Sequence, residues 1–275
     1  MGIKIHESDL SRLENSNHSI GMARLSAALY VMNYSISDFF RDENNTEIAR
    51  LLANIISAIE DNDFDKYEII KNVNLEIFSD PLKELTLAMV ETIYAVNEKQ
   101  EVSQNARVFL NEFFYLNRQY IRLEYLILSN CVSALDYDTI EDQINFLLKF
   151  FFEEATSLSR RNLVIQTIAN LLVAKLHLGK TQRVKETIDQ LIPVAADNDL
   201  PLLTKLWTIR GITYLQTECT MEAMADFANV KMMLRNLKRE KMLKEFSAWI
   251  DAVHHDFLEG KQTNSLAWLK IYIPE

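Results

Sequence analysis

The chain has 275 residues, enough for one large domain or two small ones, and 48% of them are hydrophobic. Only five Gly and four Pro interrupt it, which favours long helices with short connections and an all-α fold. The formal net charge of -10 disfavours nucleic-acid binding by the whole surface, because an acidic surface repels phosphates.

The N-terminal segment, residues 1–41, has the pattern of a partial helix-turn-helix domain. Its spacing of apolar and capping residues predicts helices from Ser8 to about Asn15 and from Ile20 to about Met32. A short third helix then begins at Ser35 or Ser37, either of which can act as the N-cap.

Two sequence blocks make this chain similar to a known family. The run LSRLEN, then SI, a helix and MNYSISDFF, resembles the second half of the Cro-type DNA-binding domain of Rgg/GadR/MutR-type transcriptional regulators. A second block, from Gln119 to Gln143, matches that family's YE, NC and LDY-T pattern through Glu124, Asn130, Cys131, Asp136, Tyr137 and Thr139. The resemblance implies a cytoplasmic homodimer whose TPR-like receptor domain binds a short signalling peptide and so controls DNA binding.

The helix-turn-helix segment departs from the family pattern in ways that bear on DNA binding. We expect Ser8, Ser11 and Arg12 to be its DNA-contacting residues, with Arg12 as the plausible phosphate contact. Only seven residues precede Ser8, so either the chain begins late relative to a longer gene product or the scaffold and positioning helices of a Cro-type domain have been lost, and Asp9 would repel phosphates. The alternative prediction is therefore a non-DNA-binding interaction protein, such as a peptide sink or an inactive heterodimer partner.

Residues 42–275 are predicted to form a right-handed TPR-like solenoid for ligand binding and dimerisation. Apolar residues at spacings of three and four predict an amphipathic helix from Ile48 to Ile59, and Asp80 followed by Pro81 predicts another helix start. The aromatic residues of 106–128 favour core or dimer packing over ligand stacking. Residues 147–152 are apolar nearly all round, which favours burial on several sides or at a subunit interface.

The clearest repeat lies between Thr204 and Leu237. Its offsets of 0, 4, 7, 16 and 20 resemble a tetratricopeptide repeat, with the residues Trp207, Gly211, Tyr214, Ala223 and Phe227. We expect the second helix of this repeat to approach the first closely at the glycine, which has no side chain. A degenerate repeat, from Leu163 to Ile192, precedes it by 39 residues.

A concave groove lined by first helices is what such a repeat domain offers to a ligand. Side-chain amides pair with the backbone of an extended peptide, and arginine pairs with its terminal carboxylate. Each amide is equally well explained as a solvated or loop-capping group. Two aromatic residues of the repeat are also predicted to bind the peptide. The predicted peptide-binding residues are Asn130, Arg160, Arg161, Gln166, Asn170, Trp207, Arg210 and Tyr214.

The sequence contains no pattern that indicates an enzyme or a metal site. It lacks GxSxG, HExxH and Gly-rich phosphate-loop motifs, and Cys131 and Cys219 stand far apart. We therefore expect no catalytic residue, no metal and no cofactor. No apolar run has the length of a membrane span, so no membrane partner is expected. The basic residues between Lys231 and Lys244 indicate a solvated face, or alternatively a surface for an acidic partner or DNA.

Overall fold

In a computed structural model of the chain, the described residues are 50–51, 53–55, 57–58, 61, 63, 65–71, 80–116, 122–153, 158–196 and 199–258. All of the regular elements in these ranges are helices, which confirms the predicted all-α fold. Their α-helices are α1 (Lys66–Lys71), α2 (Asp80–Asn97), α3 (Gln104–Leu116), α4 (Arg122–Cys131), α5 (Tyr137–Glu153), α6 (Leu158–His177), α7 (Val184–Ala196), α8 (Leu200–Gln216), α9 (Thr220–Asn236) and α10 (Glu240–Leu258). The predicted helix-turn-helix segment lies outside the described residues, so it stays a prediction.

The chain forms two compact units. The first comprises Met1–Ala106 and Gln119–Ile127, and the second comprises Arg107–Arg118 and Leu128–Glu275. Within the first unit, α2 begins at Asp80, as the sequence predicted. Its apolar face is fully buried at Leu85 and Met89, which are spaced four residues apart.

The second unit contains α5 to α10, arranged as successive helical hairpins. α5 packs on α6, α7 on α8, and α8 on α9, while α6 and α8 also contact each other. This order, in which each helix packs on its sequence neighbour and the first helices of adjacent hairpins meet, is that of a helical repeat. The repeat architecture predicted from the spacing around Trp207 is thereby confirmed.

Gly211 is the point of closest approach between α8 and α9. A Cβ atom added to Gly211 would lie 2.5 Å from Cε1 of Phe227 and 3.0 Å from its Cδ1 and Cζ atoms. The ring of Phe227 is itself held edge-on by Phe246 and Trp249, at centroid distances of 6.2 and 5.8 Å. Ala223, four residues before Phe227 on α9, is fully buried, and the predicted close approach of α9 to the glycine is made by Phe227.

Two helix boundaries differ from the sequence prediction: α7 ends later than expected, and α8 begins at Leu200, before the predicted repeat start at Thr204. The second helix of the degenerate repeat was expected to end before Pro193, but α7 continues through Pro193 to Ala196. The exposed ring of Pro193 stands near the C-terminal end of α7, where the lost backbone donor affects only the last turns. Pro201 lies in the first turn of α8, and Asp199 caps that helix by accepting a hydrogen bond from the Leu202 amide at 3.0 Å.

Three helices end in the same turn without a glycine at its left-handed position. Lys99 after α2, Glu218 after α8 and Lys238 after α9 have φ values of 55°, 61° and 54°. In each turn the following amide donates to a carbonyl five residues earlier, at 2.8, 2.8 and 2.9 Å respectively. The turn after α6 uses Gly179, with a φ of 70°, in the equivalent place.

The aromatic segment contributes both core and surface residues. In the second unit, Phe114 is fully buried and its ring meets that of Phe113 edge-on at 5.2 Å. Tyr115 is 61% exposed on the same helix. The apolar end of α5 behaves similarly, because Phe151 is buried while Phe152 is 54% exposed. Each segment therefore contributes some residues to the core and leaves large apolar side chains on the surface, including Val108 and Leu116 in the aromatic segment.

Candidate functional site

A chain of polar contacts links the end of α4, α6 and α8 in the second unit. The Ser129 hydroxyl lies 2.9 Å from the Thr167 hydroxyl. One turn further along α6, the Asn170 side-chain nitrogen donates to the Ser129 carbonyl at 3.1 Å. The Asn170 side-chain oxygen accepts a hydrogen bond from the Lys205 ammonium. These residues, called the polar row here, cross the first helices of successive hairpins.

Lys205 is the only member of the polar row with a formal charge, and it is 4% exposed. Burial lowers its pKa from 10.5 to about 7, because the ammonium has lost its water. In the described part of the chain, no carboxylate lies within 4 Å of its Nζ atom, and Asn170 is its hydrogen-bond partner. The side chain therefore sits near the balance point between charged and neutral forms at physiological pH.

The three predicted amides all lie on first helices of the second unit. Gln166 and Asn170 are four residues apart, so they share one face of α6, and both are half-buried. Gln166 has no hydrogen bond within the described ranges, whereas both ends of the Asn170 amide are engaged in the polar row. Asn130 is exposed at the end of α4, next to Ser129. Their role in peptide binding stays a prediction.

Arg210 forms an interhelical ion-pair cluster. Its Nε and Nη2 atoms donate to the two carboxylate oxygens of Asp226 on α9, at 2.8 and 2.7 Å. Its Nη1 atom donates to Asp189 on α7, at 2.5 Å. These hydrogen bonds, led by those to Asp226, raise the pKa of Arg210. Although burial raises the pKa of Asp189, hydrogen bonds from Arg210 and Lys185 hold it below its usual range.

This cluster gives Arg210 a structural task that the sequence analysis did not predict. All three of its hydrogen-bonding nitrogens are directed at carboxylates of the scaffold, and Asp226 is 3% exposed. The signal was present in the sequence, because Arg210 and Asp226 are 16 residues apart, the same offset as Gly211 and Phe227. An opposite-charge pair at the cross-helix offset of the repeat indicates a contact between α8 and α9.

The other predicted basic and aromatic residues are less tightly engaged. The Arg161 guanidinium lies 5.9 Å from the centroid of the Phe151 ring, and its Nε is buried with no hydrogen-bond partner in the described region. Arg160 lies in the first turn of α6, and its side chain is outside the described residues. Trp207 and Tyr214 are half-buried on α8. The aromatic pair flanks Gly211, as expected for residues of the repeat scaffold.

The predicted DNA-contacting residues, Ser8, Ser11 and Arg12, lie outside the described residues. In the part of the chain that is described, no helix is both long and apolar enough to cross a membrane. The same part holds no group of three His, Cys, Asp or Glu side chains arranged to hold a metal ion.

Comparison with known proteins shows which solved structures share this fold. No family model matches the chain, and no curated protein matches it. The structure of the SHP pheromone receptor Rgg2 of Streptococcus dysgalactiae is similar, with a TM-score of 0.60 and 18% identity over 89% of this chain and 91% of that one. A Listeria monocytogenes EGD-e protein assigned as a transcriptional regulator is also similar, with a TM-score of 0.63 and 15% identity over 93% and 90% of the two chains. This chain therefore has the helical-repeat fold of both proteins.

Proposed function

We propose that this chain is a peptide-responsive transcriptional regulator of the Rgg type, whose second unit binds a short signalling peptide along the first helices of its repeats. The observation that carries the proposal is the polar row, together with Gln166, which lies one turn before Asn170 on α6 and whose amide has no hydrogen bond to another described residue. The structural likeness supports it, because one similar protein is a pheromone receptor and the other is assigned as a transcriptional regulator. The family resemblance of the two sequence blocks points the same way.

The geometry suits an extended peptide. Each peptide residue carries one donor and one acceptor, and a side-chain amide such as that of Gln166 can pair with both. Packed helices lie about 8–10 Å apart, and an extended octapeptide is about 27 Å long, so it spans three first helices. Asn130 on α4 and Gln166 on α6 then supply contacts on two successive first helices. The polar row beneath them holds those helices in register.

Affinity selection tests the peptide-binding part of this proposal. A synthetic library of random octapeptides with free termini is incubated with the full chain, and retained peptides are identified by mass spectrometry. We expect a related set of peptides to be enriched, and each to bind with a stoichiometry of about one per chain. No enrichment over an unrelated helical-repeat protein of similar charge would overturn the proposal.

The effect of the peptide on DNA binding needs a separate measurement. We propose that the N-terminal segment contacts DNA through Ser8, Ser11 and Arg12 in a homodimer, as the family resemblance implies. A mobility-shift titration with the DNA upstream of the gene, with and without a selected peptide, should show salt-sensitive binding whose affinity the peptide changes. Binding of peptide without any DNA binding would favour the alternative, a peptide-binding interaction protein.

A further inference from the structure

Lys205 differs from the other buried or half-buried cations of the second unit that have a carboxylate partner. Lys175 is 2% exposed, and its ammonium lies 2.5 Å from the Glu141 carboxylate. Arg210 is held by the carboxylates of Asp226 and Asp189. Lys205, at 4% exposure, has only the neutral amide of Asn170 as its partner in the described residues. Among the described residues, carboxylates thus pair with the buried Lys175 and the half-buried Arg210, but none pairs with the buried Lys205.

A buried charge of this kind is unfavourable unless an opposite charge reaches it. Three carboxylates at α8 are engaged elsewhere: Asp189 on α7 and Asp226 on α9 are bound by Arg210, and Asp199 caps α8 by accepting from the Leu202 amide. On α6, the group that faces the ammonium is the Asn170 amide. Asn170 is half-buried on the same helix face as Gln166, so the ammonium lies one side chain behind the candidate groove.

We infer that Lys205 and Asn170 form a binding site for a carboxylate of the ligand. The inference rests on the proposed peptide function and makes it more specific: the peptide presents an acidic group, either an Asp or Glu side chain or its own C-terminus, at α8. The Asn170 side-chain nitrogen has a second N–H besides the one donated to the Ser129 carbonyl, so it and the ammonium can both donate to the entering carboxylate. A charge-assisted hydrogen bond in a site shielded from water is strong enough to select an acid over the matching amide.

The chemistry of Lys205 predicts a proton-linked signature. The ammonium is largely deprotonated above its lowered pKa of about 7, and an entering carboxylate favours the charged form. Binding at pH 8 should therefore take up about one proton from the solution. An interaction that left Lys205 neutral would take up none.

The test compares acid and amide forms of the octapeptides retained in the selection. Each is resynthesised with one carboxylate at a time replaced by its amide, either in a side chain or at the C-terminus. We expect one replacement to weaken binding to the wild-type chain at least about tenfold, and to weaken binding to the Lys205→Met variant less than about twofold. The replacement that matters identifies whether the side chain or the C-terminus enters the site.

Calorimetry of the wild-type chain in buffers of different ionisation enthalpy supplies a readout that needs no variant. Uptake of about one proton at pH 8 by the acid peptide, and none by its amide, supports the inference. Peptides that bind equally well as acid and amide, with no proton uptake, would refute the carboxylate site while leaving peptide binding in place. Failure to retain any octapeptide would instead refute the proposed function, and the inference with it.

Discussion

Substitution of Gly211 by alanine tests the packing on which the repeat is built. The new Cβ would lie 2.5 Å from Cε1 of Phe227, whereas ordinary carbon contacts begin at about 3.5 Å. The ring would have to move by about 1 Å, but it is 1% exposed and wedged against Phe246 and Trp249. We therefore expect the packing of α8 on α9 to be strained.

Two opposing effects determine the change in the free energy of unfolding for Gly211→Ala. Overpacking a well-filled core by a methyl group destabilises by about 1–3 kcal/mol, whereas replacing a mid-helix glycine by alanine stabilises by about 0.5–1 kcal/mol. Because the contact involves three atoms of an immobilised ring, overpacking should dominate. The expected net decrease in the free energy of unfolding for Gly211→Ala is about 1–2 kcal/mol. Gln216→Ala, an exposed site in the same helix, should change it by less than about 0.5 kcal/mol.

Urea denaturation followed by circular dichroism measures both variants, and a double-mutant cycle isolates the contact. Phe227→Leu removes the ring atoms that the new methyl group would strike, so Gly211→Ala should be harmless in that background. The coupling free energy between the two sites should be about 1–2 kcal/mol. A stabilised Gly211→Ala variant, or additive effects in the double variant, would refute the steric argument.

Three further predictions concern the second unit. Arg210→Met leaves Asp226 buried at 3% exposure without a cation, and should destabilise by about 3–5 kcal/mol in urea denaturation, with recovery on adding Asp226→Leu. Because the pKa of Lys205 is lowered in the folded state, the unfolded chain binds more protons between pH 7 and 10.5, so stability rises with pH across that window. The rise attributable to Lys205 is up to about 5 kcal/mol, and Lys205→Met should abolish it and be the more stable protein at pH 6. Glu218 has a φ of 61° after α8, a conformation that glycine adopts without strain, so Glu218→Gly should raise the free energy of unfolding by about 1 kcal/mol. Thermal denaturation should show a higher midpoint temperature, and a lower one would contradict the assigned turn.

The repeat scaffold could be predicted from sequence because its signal is local. The spacing of Trp207, Gly211 and Phe227 reports which side chains face each other across one hairpin, and the structure places Gly211 against Phe227 as expected. The end of α7 could not be placed as well, because Pro193 is tolerated near the end of a helix.

The partners of the buried and half-buried charged side chains could not be predicted in the same way. Lys205 stands among buried leucines on α8, and sequence patterns assign a lysine to the surface unless its partner is known. Its partner, Asn170, is 35 residues away on another helix. The contact of Arg210 with Asp226 follows the 16-residue offset of the repeat, but its contact with Asp189 does not, because helix packing brings that carboxylate to it from α7. Such contacts depend on tertiary structure rather than on periodicity.

The most direct test of peptide binding in the second unit is a calorimetric titration of a retained octapeptide into matched variants. Gln166 lies on the first-helix face of α6, and Gln190 is an exposed glutamine on the second helix α7. We predict that Gln166→Ala weakens binding by about 1–3 kcal/mol, which is about 5- to 150-fold, because a desolvated peptide group loses its partner. Gln190→Ala should leave the affinity unchanged. Equal affinities for wild type and Gln166→Ala, with both folded, would contradict the placement of the peptide on the first helices.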